Sequence, residues 1–123
     1  MPIVDVEVVG PAANAGGGAV SARALADALG QVFGCPAGRT WVRLRRLDDA
    51  AYAENGAVLG ESEWPVFVTV QHARLPDEAA LRAEAAAVTL AVARCVGRPP
   101  GRVHVHYAPA GAGRLAFGGQ LVG

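Results

Sequence analysis

His104 and His106 form the most concentrated cluster of reactive side chains in the 123-residue sequence. On a strand, a His-x-His pair places both imidazoles on one face, where they can ligate a metal or hydrogen-bond a bound carbonyl or a neighbouring subunit. His72 offers a third imidazole. No acid follows Glu84, however, and neither Cys35 nor Cys95 stands at ligand spacing, so the expectation is no metal and hydrogen bonding or packing instead. Arginine supplies the second chemistry. The chain has eleven Arg and no Lys, and the planar guanidinium grips a carboxylate bidentately in a way an ammonium cannot. Arg39 and Arg43 flank Trp41. Arg114 lies in the glycine-rich C-terminal segment with Leu115 and Phe117 beside it as apolar walls, and Arg74 is a weaker candidate. The tandem Arg45-Arg46 beside Asp48-Asp49 reads as a surface ion-pair cluster.

Eleven acids balance the arginines, and the hydrophobic fraction is 52%. That composition excludes intrinsic disorder, and the lack of a net positive field disfavours nucleic acid as a partner. The longest apolar stretch, 79–96, is broken by Arg82, Glu84 and Arg94, so no membrane span is expected. The N-terminal residues 1–7 carry acids where a secretory segment carries cations, so no signal peptide is expected. Two cysteines are too few for a disulfide framework and read as small buried hydrophobes, which predicts a reduced, cytoplasmic protein. The length predicts one domain over 1–123.

The elements that position these residues come from a repeat. A shift of 63 positions lays Pro2-Ile3-Val4-Asp5-Val6 on Pro65-Val66-Phe67-Val68-Thr69, and Gly34-Cys35-Pro36-Ala37-Gly38-Arg39 on Gly97-Arg98-Pro99-Pro100-Gly101-Arg102, with no gap between. The pseudo-repeats are 1–64 and 65–123. Each reads strand, helix, strand: 2–9, about 20–33 and 40–47, then 65–72, a helix capped by Asp77 and ending at Gly97, and 102–107. Each half is therefore a right-handed βαβ unit with parallel strands. Alternation puts Val42, Leu44, Val105 and Tyr107 under the helices and Trp41, Arg43, Arg45, His104 and His106 on the opposite face. Asn55-Gly56 is a hairpin signal, and Gly16-Gly17-Gly18 and Gly111-Ala112-Gly113 read as turns.

Two βαβ units, a proline directly after Met1, and the segment Gly113-Arg114-Leu115-Ala116-Phe117-Gly118-Gly119-Gln120-Leu121 together resemble the tautomerase superfamily, which includes 4-oxalocrotonate tautomerase and macrophage migration inhibitory factor. The resemblance covers nearly the whole chain and implies the long, two-unit kind. Its implied fold is α/β (α+β): a four-stranded mixed sheet with two helices on one face plus short hairpin strands, assembled as a homotrimer with sites at subunit interfaces. It also implies that Pro2, once Met1 is removed, is the catalytic group. A secondary amine with a reference pKa of about 8 needs no side chain to act as a base, and an apolar pocket lowers that value. Pro65 lies inside the chain and has no free amine, so three sites per trimer are implied rather than six.

The implied reaction is keto-enol tautomerisation of a small 2-oxo acid or its enol, without a cofactor. Arg39, Arg43 or Arg114 would bind the carboxylate, His104 or His106 from a neighbour would polarise the carbonyl, and Phe117 would wall the pocket. The gap-free match to the family's strand arginine is Trp41, so the choice between Arg39 and Arg43 stays open. Hydratase, dehalogenase and decarboxylase relatives use an extra carboxylate, for which Glu54 is available, and a non-catalytic interaction or ligand-binding trimer is the rival from another class.

Overall fold

Alternation of valine with acids builds the first strand, β1 (Ile3–Val9), which buries Val4, Val6 and Val8 completely and turns Ile3, Asp5 and Glu7 to the other side. The computed structural model describes residues 2–11 and 18–123. After β1 come α1 (Ala22–Phe33), β2 (Trp41–Leu47), β3 (Val66–Gln71), α2 (Glu78–Val96), β4 (Val103–Tyr107) and a hairpin of β5 (Ala116–Phe117) and β6 (Gln120–Leu121). The main sheet runs β2-β1-β3-β4. β1 pairs with β2 and β3 with β4 in parallel, while β1 and β3 meet antiparallel at the centre, so the sheet is mixed.

Both helices lie on the face to which the valines point. Leu25 and Leu29 from α1 join Val88, Val92 and Val96 from α2 over Val4, Val6, Val8, Val66, Val68 and Val70. Each such side chain contributes about 1.5–3 kcal/mol when fully buried. Val42, Leu44, Val105 and Tyr107 pack against this core, as the alternation requires. Ser21 caps α1 by accepting from the Ala24 N–H and Asp77 caps α2 by accepting from the Ala80 N–H, and both helices stop at left-handed glycines, Gly34 and Gly97. Those stops are 63 residues apart, matching the repeat; α2 is longer than α1 only at its start.

Three sequence expectations are corrected. Asn55-Gly56 makes a turn closed by the Ala57 N–H on the Glu54 carbonyl, but no strands flank it, because the stretch 57–60 has no alternating apolar face to pair. Arg45 reaches toward Asp5, at 3.9 Å, and Asp48 instead caps a short helical turn through the Ala50 N–H. The first helix begins at Ala22, after a capping serine, although Val20 still packs on the core. The hairpin expected at the C-terminus is present, its turn made by Gly118 and Gly119 at φ 56° and 87°. Gly16 and Gly17 lie outside the described residues. No helix among the described residues is long and apolar enough to cross a membrane.

Candidate functional site

The start of β1 is enclosed. Pro2 is buried, and its carbonyl accepts the Trp41 N–H at 3.1 Å. Ile3 pairs with Trp41 on one side and Gln71 on the other, so one position outward Pro2 sits between Thr40 and His72, with its ring on the helix-bearing face like Val4. Thr40 Oγ1 is buried with no hydrogen-bond partner among the described residues. His72 belongs to a network: its Nε2 is 2.8 Å from Glu84 Oε2, and the Tyr107 hydroxyl donates to the same oxygen at 2.7 Å. The side chains of His72 and Glu84 are only 13% and 15% exposed. The imidazole stacks on the Tyr107 ring and takes the Phe33 ring edge-on at 5.2 Å. Burial, and then the bond to Glu84, raises the pKa of the Tyr107 hydroxyl far above the ordinary phenol value.

The C-terminal hairpin closes over the same end. The Gly111 and Ala112 N–H groups bond the His72 and Ala73 carbonyls, Arg74 donates to the Gly123 carbonyl, and Phe117 meets Trp41 edge-on at 5.1 Å. Gly111 allows the close approach, since a Cβ there would lie 3.1 Å from Leu115 Cδ2. Arg114 is exposed and donates to the Ala110 carbonyl in the turn that leads into the hairpin. Arg39, two residues before Trp41, is exposed and has no ion partner among the described residues. Arg43 differs, because its fork is filled by Asp5 through bonds of 2.6 and 2.8 Å.

His104 and His106 lie elsewhere on the chain. They occupy the helix-free face of β4, opposite Phe67 and Thr69, which in turn pair with Glu7 and Asp5 well down β1. By strand geometry His106 stands more than about 10 Å from Pro2, so a single chain does not bring the histidines to the proline. His104 packs on Phe67 at 5.7 Å, and Tyr52 packs on the same ring at 5.9 Å. Next to them Glu54 Oε2 accepts from the Tyr52 hydroxyl at 2.7 Å and from Arg102 at 2.6 Å, and these two bonds hold its carboxyl below the usual range. His72 lies on the opposite face of the sheet from His104 and His106, so the three imidazoles do not converge. Among the described residues no three metal-binding side chains group together.

Two features escaped the sequence reading. Glu84 is in helical phase with Leu81 and Val88, and an acid on an apolar face was the signal that it has a buried partner. Arg98, which is buried, donates to the carbonyls of Val9, Pro11 and Trp64 and ties the end of β1 to the junction between the repeats. Its signal was weaker: its repeat mate is Cys35, a small residue.

No family model and no curated protein matches the sequence. Solved structures do match. A fused 4-OT symmetric trimer shares 20% identity at a TM-score of 0.76, covering 98% of this chain and 94% of that one. Pt0534 inactivated by 2-oxo-3-pentynoate shares 19% identity at a TM-score of 0.74, with the same coverages. A macrophage migration inhibitory factor homologue from Prochlorococcus marinus shares 17% identity at a TM-score of 0.70, covering 98% and 99%. Across nearly its whole length, the chain has the fold of the tautomerase superfamily.

Proposed function

We propose that the protein is a cofactor-independent tautomerase that interconverts the keto and enol forms of a small 2-oxo acid, with the Pro2 amine as proton shuttle after removal of Met1. The observation that carries this reading is the burial of Pro2 at the start of a central strand, between β2 and β3 and on the helix-bearing face. Burial disfavours an ammonium ion, so a prolyl nitrogen there is a base near neutral pH. It removes the proton α to the carbonyl and returns it to the other terminus of the enol.

Arg39 is the arginine of choice for the substrate carboxylate. It is exposed near the Pro2 end with no ion partner among the described residues, whereas the Arg43 fork is occupied by Asp5. The separation of Pro2 at the start of β1 from the histidines on β4 favours a homotrimer in which His104 or His106 of one copy completes the site of the next, with Arg114 and Phe117 at its rim. The fused 4-OT trimer supports that assembly. A soluble cytoplasmic location accords with the same reading.

The test is ketonisation of phenylenolpyruvate by protein whose intact mass lacks Met1, alongside Pro2→Ala. Activity that falls by about 10²-fold or more in the variant supports the shuttle, and an unchanged rate refutes it. A second reading, hydration or decarboxylation of an unsaturated or oxo acid, is favoured by Glu54, whose carboxylate is kept ionised beside His104. Glu54→Gln would abolish such an activity while sparing ketonisation. A retained Met1 would leave the non-catalytic, ligand-binding trimer as the account.

A further inference from the structure

Pro2 has a titratable network on its flank that the proposed reaction does not use. Glu84 Oε2 receives two bonds, from His72 and from Tyr107. A carboxylate only accepts hydrogen bonds, so His72 Nε2 carries a proton toward Glu84, and in the singly protonated form of the ring Nδ1 is an acceptor. Packing fixes the ring on both sides, with Tyr107 stacked and Phe33 edge-on. One step beyond the Ile3–Gln71 and Ile3–Trp41 pairs, this residue and Thr40 flank Pro2, and the Thr40 hydroxyl has no partner among the described residues.

We propose that Glu84 and Tyr107 hold His72 as a fixed hydrogen-bond acceptor for the Pro2 amine, so that the network orients the nitrogen lone pair and keeps both protonation states of the shuttle accessible. This inference rests on the reading of Pro2 as a free amine. A shuttle must both take and give a proton, which works best when its pKa lies near the working pH. Burial alone drives the amine down. A carboxylate one imidazole away counters that by favouring the ammonium, as outer partners tune the basicity of the groups they hold. The other charged groups nearby are Arg39 before β2, Arg74 in the connection from β3 to α2, and the Arg43–Asp5 pair on the far face; all are left intact in the variants below.

The experiment follows the Pro2 resonance by ¹⁵N NMR in proline-labelled protein lacking Met1, across pH, for the parent chain, Glu84→Gln, His72→Phe and Tyr107→Phe. His72→Phe keeps an aromatic ring between Phe33 and Tyr107, and Tyr107→Phe keeps the stack, so folding is preserved if Glu84→Gln proves unstable. The expected result is a Pro2 midpoint lowered by about half a unit or more in Glu84→Gln and His72→Phe, and less in Tyr107→Phe. Ketonisation should fall by about 10–100-fold, carried by kcat rather than KM. Folded variants with an unmoved midpoint would overturn the proposal, leaving the network a packing feature. A titrating Pro2 amine in a parent protein that ketonises nothing would instead overturn the tautomerase reading, and the midpoint shift would still report the coupling.

Discussion

Arg39 and Arg43 are four residues apart and alternate with the strand in the same sense, yet their surroundings make them different reagents. The Arg43 guanidinium spends both arms of its fork on Asp5, while the Arg39 fork is open to solvent. Loss of a charge-assisted bond to substrate costs about 1.5–3 kcal/mol, so Arg39→Ala should raise KM for a 2-oxo acid by about 10–100-fold. Arg43→Ala should change it by less than about threefold, in keeping with an exposed pair. Steady-state kinetics of the two variants check this directly. Tyr107 makes a prediction about pH. Its folded-state pKa is raised, so its contribution to stability is complete below the unfolded value of about 10 and is lost as pH climbs from there toward the folded value. Denaturant midpoints should therefore decline above about pH 10, with a shallower decline in Tyr107→Phe.

At the scale of elements, the junction between the repeats is the most exacting joint. Gly10 has φ 77°, and a Cβ there would lie 2.5 Å from Trp64 Cε3. The strained backbone and the overlap together should make Gly10→Ala destabilising by about 2–4 kcal/mol, visible as a lower urea midpoint at unchanged slope. The glycine was plain in the sequence and its need was not, because that need arises from a tryptophan 54 positions away. The same division runs through the fold. Alternation of valines fixed which face of each strand is buried, and the repeat fixed where both helices stop, because those are local properties of spacing and capping. Placing His104 and His106 on the helix-free face required only parity. Which polar groups pair was not legible: Asp5 with Arg43, Glu54 with Arg102 and Glu84 with His72 join residues 38, 48 and 12 positions apart.

At the scale of the whole molecule, neutrality conceals an uneven distribution. Residues 1–64 hold eight acids and five Arg, and residues 65–123 hold three acids and six Arg. The acid-poor half supplies His104, His106 and Arg114, so a neutral chain can still offer an anion-binding surface. The helix-free face also exposes Trp41 and Phe67, at 42% and 36%, a pattern suited to burial against further copies. Sedimentation equilibrium should return the mass of three chains, and Phe67→Asp should shift it to one. A parent protein that sediments as a single chain at micromolar concentration would remove the interface site and with it the roles given to the histidines.

The proposed base, a free Pro2 nitrogen, is also a nucleophile, and covalent labelling reports on it directly. The acetylenic acid 2-oxo-3-pentynoate, by which the structurally similar Pt0534 is inactivated, has an alkyne conjugated to a ketone, an electrophile that a nucleophilic amine attacks. Intact-mass and peptide analysis after incubation should find a chain without Met1, carrying one adduct on the N-terminal peptide 2–23, with activity lost in proportion to labelling. A chain that retains Met1, or an adduct confined to any other peptide, would contradict the account.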